Sequence, residues 1–229
     1  VCILTMQFNI MLRHNLEHEM EIITQMWMKD QEQYRISSDT IDQINRKCHD
    51  MRHQIRSIGS SAKVDANALK EMEQAIHIYD SMFQTGSRAL DVILTEKSMA
   101  CQECGITINC IADGSALSFM EDSDIYSLFG NLLENSINAV KALDASLRTI
   151  DLSIRRHDEL LSVSTRNFYE GTITMENGRP VTSGDPRYHG FGTKSVAAIV
   201  SKYGGAISFR AQSGTFSVNM LFPLKKKEE

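Results

Sequence analysis

The sequence predicts an α+β protein, a long coiled-coil helical hairpin followed by an α/β sandwich. Three observations predict it. The first hundred residues place apolar side chains at heptad spacing with hardly a helix breaker. The remainder alternates strand-like and helical runs punctuated by glycine turns. Within it, a helical segment sets Asn131 and Asn135 one turn apart, and further on Gly190-Phe191-Gly192 opens another helix.

Composition agrees with this division. The chain has 229 residues, 42% hydrophobic and 23% charged, which suits two modest globular domains. A formal net charge of −5 argues against direct nucleic-acid binding, which calls for a basic stripe. Five cysteines, an odd and scattered set, favour a reducing compartment over a disulfide framework. Cys101, Cys104 and Cys110 offer three thiols where structural zinc takes four ligands, so they read as small core residues.

The first element is a helix. Stepping back from Ile58 by threes and fours gives Ile55, Met51, Cys48, Ile44, Ile41, Ser37, Tyr34, Asp30, Trp27, Ile23, Met20 and Leu16, a seam with two polar lapses. After the turn-like Gly59-Ser60-Ser61, a second seam runs through Leu69, Met72, Ile76, Tyr79, Phe83, Gly86, Leu90 and Ile93. Two copies of such a hairpin would bury their stripes as a four-helix bundle, so a homodimer is expected. The resulting divisions are a signalling coiled-coil helix at 1–38, a dimerisation hairpin at 39–97 and a second domain at 98–229.

That second domain reads, in order, as a strand over 105–110, a helix over Glu121–Leu143, and strands at Thr149–Arg155, Leu160–Thr165 and Gly171–Met175, the last ending at an Asn177-Gly178 turn. A helix from Lys194 to Tyr203 stops at Gly204-Gly205, a C-cap signal. Strands Ala206–Ala211 and Thr215–Phe222 close the fold. The Gly-, Pro- and Ser-rich stretch Met175 to Tyr188 reads as a lid.

Bare glycines let a backbone approach a polyanion, and the N–H groups and dipole of the following helix favour phosphate. Together with the Asn pair they suggest an ATP-Mg²⁺ site. His49 and His53 fall on an outward face of the first helix, one turn apart, and three readings stay open for them: a solvated pair, a two-ligand metal site, or a nucleophile. Asp50, beside His49, could fix the imidazole tautomer and raise its basicity. His14-Asn15-Leu16-Glu17-His18 satisfies a zinc-protease pattern, but it sits on a coiled-coil face without a third ligand and reads as chance.

Two of these strings carry a family resemblance. Asn131-Leu132-Leu133-Glu134-Asn135-Ser136-Ile137-Asn138-Ala139 resembles the N-box of the GHKL (Bergerat) ATPases, and His189-Gly190-Phe191-Gly192-Thr193-Lys194-Ser195 resembles their second glycine box. Ser213-Gly214-Thr215-Phe216-Ser217-Val218 through Leu221-Phe222-Pro223 resembles the closing strands, where the family places a Thr near the adenine. Lys47-Cys48-His49-Asp50-Met51-Arg52-His53-Gln54-Ile55 is similar to the phosphoacceptor box of quorum-sensor-type (accessory-gene-regulator-like) histidine kinases.

The resemblance implies ATP and Mg²⁺ as cofactors, with Asn135 as the Mg²⁺ ligand and Asn131, Glu134, Asn167, His189, Gly190, Phe191, Gly192, Thr193, Lys194 and Thr215 around the nucleotide. It implies autophosphorylation of His49 with Asp50 beside it, and transfer onward to a response-regulator Asp. Where hydrolysing relatives carry a Glu, this chain has Asn131, which favours transfer over hydrolysis. Asn167 stands where most histidine kinases have the Asp of Asp-x-Gly-x-Gly. A non-catalytic dimeric ATP-binding scaffold and a GHKL serine kinase are the alternatives.

No run reaches the ~18 apolar residues of a membrane span. The apolar opening Val1-Cys2-Ile3-Leu4 reads as the downstream edge of a removed segment, and the chain as a cytoplasmic fragment of a bacterial cell-membrane sensor.

Overall fold

The computed structural model describes residues 2–58, 83–176, 178–180 and 191–224. Helix α1 runs unbroken over Cys2–Ile58, as a stretch without proline or glycine allows. Helix α2 (Arg88–Glu103) follows, then strand β1 (Thr107–Ala112) and helix α3 (Asp122–Val140). Next come β2 (Thr149–His157), β3 (Leu160–Phe168), the two-residue β4 (Met175–Glu176) and β5 (Arg179–Pro180), α4 (Phe191–Lys202), β6 (Ala206–Gln212) and β7 (Thr215–Pro223).

One five-stranded mixed sheet, in the order β1-β2-β3-β7-β6, organises the second domain. The β1–β2 pair is parallel and the others are antiparallel. Alternation makes the sheet two-faced: Ile150, Leu152 and Ile154 of β2 are buried on one side, while Asp151, Ser153 and Arg155 lie on the other. Leu161 and Val163 of β3 and Val218, Met220 and Phe222 of β7 continue the buried side. Against it pack Leu90, Ile93 and Leu94 of α2, Leu128, Phe129 and Leu133 of α3, and Val196 and Ile199 of α4, a single core under one layer of helices.

The expected C-cap at Gly204-Gly205 is present in detail. Gly204 takes a φ of +67°, its N–H donates to Ser201 O at 3.0 Å, and the Gly205 N–H donates to Val200 O at 2.9 Å. These are the paired bonds of a Schellman motif.

The structure differs from the sequence expectation at three places. The second seam is not one helix as far as Ile93: its residues up to 82 lie outside the described part, and residues 83–87 are not helical. Gly86 turns the chain at φ +92°, the Ser87 Oγ accepts from the Leu90 N–H at 3.4 Å as N-cap of α2, and Asp91 accepts from both the N–H and Oγ of Thr85. Leu90 and Ile93 therefore belong to the sheet's core and not to a bundle seam. The strand expected at Gly171–Met175 is reduced to β4, which pairs with β5 outside the main sheet. Of the lid, residues 177 and 181–188 lie outside the described part.

The middle of α1 packs on α2 and α3. Tyr34 and Ile41 lie against the core, and Ser38 is buried. Nearer its start, Ile3, Met6, Phe8, Ile10 and Met11 are all exposed. No described helix is long and apolar enough to cross a membrane.

Candidate nucleotide-binding site

A cavity of about 370 Å³ opens between α3, α4 and the β3–β7–β6 end of the sheet. Its lining includes Asn135, Ser136 and Ala139 of α3, Asn167 of β3, Thr193 and Val196 of α4, and Phe209, Phe216 and Val218 of the closing strands. Residues 172–174, Tyr169 and Pro180 complete the wall. A mostly apolar cleft with a few converging polar groups is the usual form of a small-molecule site.

A hydrogen bond fixes the orientation of one of these polar groups. Asn167 is buried, with 4% of its surface exposed, and its Nδ2 donates to Phe168 O at 2.8 Å. A carbonyl only accepts, so the amide NH₂ must face Phe168, which leaves Oδ1 as an acceptor for a donor in the cavity. Asn135 reaches the cavity from α3, where its amide oxygen is a hard donor suited to Mg²⁺.

Asn131, one turn earlier, bridges two elements. Its Nδ2 donates to Ser127 O at 2.8 Å, and its Oδ1 lies 2.9 Å from where a Cβ on Gly192 would stand. A Cβ there would push the Asn131 side chain aside, so the start of α4 comes up against the Asn pair because Gly192 is bare. Ser195 Oγ, three residues on, is buried and has no partner among the described residues. A bare-glycine helix start beside two amides, with an apolar wall and a buried acceptor, fits a purine nucleotide and its phosphates.

Not every expected site residue is on this cavity. Glu134 is exposed and pairs with Lys97 of α2 at 2.8 Å. Thr215 lines a smaller neighbouring recess of about 220 Å³, and Phe216 takes the cavity wall. Lys194 is exposed on α4. Phe191 begins that helix with its side chain outside the described part, where His189 and Gly190 also lie. His49 and Asp50 fall within the helical span of α1, their side chains outside the described residues.

Sequence reading missed Phe209 and Phe216. They stack at 6.4 Å with an interplanar angle of 25°. Alternation along β6 and β7 puts them on the helix side of the sheet, a signal available in the sequence, but their proximity depends on strand register.

A polar lock holds the start of α3 to the end of α4. The Asp124 carboxylate accepts from Lys202 Nζ and from Tyr203 Oη, each at 2.6 Å. The bond to Asp124 holds the Lys202 ammonium well above its ordinary pKa. Burial, and then Asp124, raise the Tyr203 phenol. On the α2 side, burial and the bond to Glu96 at 2.6 Å raise Tyr126 well above 10. Among the described residues, no cluster of His, Cys, Asp and Glu could hold a metal unaided.

Residues 120–223 match the family model described as the GHKL domain. A curated relative, a probable C4-dicarboxylate sensor kinase of Bacillus subtilis (strain 168), is 26% identical over 152 residues, which cover 59% of this chain and 27% of that protein. The chain thus spans about a quarter of that relative's length. Among solved structures, the catalytic domain of the histidine kinase ThkA is 15% identical, covering 59% of this chain and 90% of that one at a TM-score of 0.44. The Acinetobacter baumannii histidine kinase AdeS is 12% identical, covering 79% and 97% at a TM-score of 0.40. The matched residues 120–223 hold α3, α4 and the strands β2, β3, β7 and β6 around the cavity, and this part of the chain is similar to the GHKL domain.

Proposed function

We propose that this chain is the kinase part of a two-component sensor histidine kinase of the quorum-sensor type, which autophosphorylates His49 and passes the phosphoryl group to an Asp on a response regulator. The observation that carries this reading is the cavity between Asn135 of α3 and Thr193 near the start of α4, with the buried Asn167 on its wall, next to the close approach of Asn131 to the bare Gly192. Asn135 would hold a Mg²⁺, which would neutralise charge on the phosphates as the γ-phosphoryl departs.

The chain's own residues supply the remainder of the chemistry. A neutral imidazole nitrogen of His49 attacks the γ-phosphorus in line, the bond to the β–γ bridging oxygen breaks, ADP leaves, and a phosphohistidine remains. Asp50 holds the single N–H, opposite the attacking nitrogen, and that proton leaves to solvent once the phosphohistidine has formed. Asn131, standing where hydrolysing relatives carry a Glu, offers no base to activate water, which supports transfer over hydrolysis. The division into a signalling helix (1–38), a phosphotransfer hairpin (39–97) and a catalytic domain (98–229) belongs to this proposal. The packing of α2 in the sheet's core supports drawing the second limit nearer Thr85. A homodimer, a preceding membrane sensor segment and a cytoplasmic setting complete it.

Incubation with γ-labelled ATP and Mg²⁺ should give acid-labile, base-stable phosphoprotein that is lost in His49→Gln and kept in His53→Gln. Acid-stable label would indicate a serine kinase. Nucleotide binding without label would indicate a scaffold, and either result overturns the assignment.

A further inference from the structure

The seam of α1 is interrupted by polar residues at Asp30 and Ser37, and each of them meets the nucleotide domain. The Ser127 hydroxyl of α3 donates to Asp30 Oδ2. The Ser37 hydroxyl donates to Glu96 Oε2 of α2 at 2.7 Å and lies 3.2 Å from Tyr126 Oη. Between them, Tyr34 Oη donates to Asp122 Oδ2 at 3.1 Å, and its ring centroid stands 5.4 Å from that of Tyr126. From the start of α2, Arg88 Nη2 reaches back to Ser38 Oγ at 3.1 Å and to the Asp42 carboxylate. One strip of α1, residues 30–42, is thus docked through polar partners at each turn.

Polar side chains at seam positions cost a coiled coil stability. Here the same side chains are satisfied by the chain's own α2 and α3. A single strip cannot be covered by this domain and by the seam of a second copy at once, so docking and full-length dimer pairing of α1 exclude each other over residues 30–42.

The docked strip also reaches the nucleotide site. Ser127 precedes Asn131 by one turn, and Asn131 Nδ2 donates to Ser127 O at 2.8 Å and towards Ser127 Oγ at 3.4 Å. With its one proton committed to Asp30, the Ser127 hydroxyl presents lone pairs to Asn131, whose Oδ1 then faces Gly192. Without Asp30, that proton can turn to a carbonyl of its own helix, a common alternative for serine.

We propose that residues 30–42 of α1 are a docking strip for the chain's own nucleotide domain, and that Asp30, acting through Ser127, is a positioning residue for Asn131. Docking of α1 and nucleotide binding are then coupled, and reciprocally so. The inference rests on the ATP-binding reading above for its second half alone.

The test uses the full chain with a non-hydrolysable ATP analogue and Mg²⁺. Calorimetric titration of Asp30→Ala should show affinity weakened roughly 2- to 30-fold, the range over which such couplings act. Asp30→Asn, which keeps an acceptor for Ser127, should recover most of it. Met28→Ala, at an exposed position of the same helix outside the strip, should match the unaltered chain. Unchanged affinity in Asp30→Ala, or an equal loss in Met28→Ala, overturns the coupling. Amide exchange over residues 122–128 reads the docking independently of nucleotide: it should quicken in Tyr34→Ala, and unchanged protection there overturns the docking. An unaltered chain that binds no nucleotide refutes the proposed function, while the exchange arm still decides the docking.

Discussion

Replacing Gly192 by Ala should separate stability from nucleotide binding. The new Cβ would lie 2.9 Å from Asn131 Oδ1, 3.7 Å from Asn131 Cγ and 3.7 Å from Asn135 Nδ2. The first distance is too short for carbon against oxygen, so the Asn131 side chain must turn. It is anchored by the 2.8 Å bond from Nδ2 to Ser127 O, and losing that bond costs about 1 kcal/mol net. Alanine in place of glycine within a helix returns up to about 1 kcal/mol, less in a first turn. The two terms nearly cancel, and urea unfolding should shift by no more than about 1 kcal/mol. Nucleotide binding has no such compensation. A displaced amide and a methyl group in the phosphate approach forfeit at least one charge-assisted hydrogen bond, worth about 1.5–3 kcal/mol, which is roughly 10- to 150-fold in Kd. Unfolding and titration calorimetry on the same preparation decide it. Affinity within twofold of the unaltered chain, at unchanged stability, would refute the account of Gly192 as the close-approach position.

Two further outcomes follow from local geometry. In Gly205→Ala the added Cβ would stand 2.7 and 2.9 Å from two ring carbons of the fully buried Phe222 and 2.9 Å from Leu221 O, so urea unfolding should show a loss of about 1–3 kcal/mol or more. Gly178→Ala, at φ +75° with nothing within 4 Å, should lose only the backbone strain of about 1–2 kcal/mol, and a loss equal to that of Gly205→Ala would contradict the packing. Burial pushes the Cys101 and Cys110 thiols up to about 11, so neither should react readily with a thiol reagent at pH 8. Because their folded pKa exceeds the unfolded value of about 8.5, their contribution is complete below that pH and is lost as pH rises towards 11. Stability that rises over that interval would reverse the assignment.

What could be read from the chain was whatever depends on near neighbours. Alternation set the buried sides of β2, β3 and β7, because the side-chain period of a strand is two wherever the strand lies. Gly204-Gly205 marked the end of α4, because a left-handed residue and its two backbone bonds involve a single turn of chain. The Asn pair was legible for the same reason: i and i+4 share a helix face. The short tandem Gly86-Ser87, by contrast, was read through as helix although it carries a turn residue followed by an N-cap residue.

Tertiary structure decided what each face met. Leu90 and Ile93 keep heptad spacing whether they enter a helical bundle or lie under a sheet, and only packing showed the sheet. Asp30 and Ser37 counted as lapses in a seam until α2 and α3 supplied their partners. Glu134 belongs to the same short motif as Asn135, yet faces Lys97 across a helix pair that no local pattern specifies. Phe209 and Phe216 became neighbours through the register of β6 against β7. Periodicity reports that a face is buried, which is a property of one element. The identity of its partner is a property of two, fixed by contacts between residues far apart in the chain.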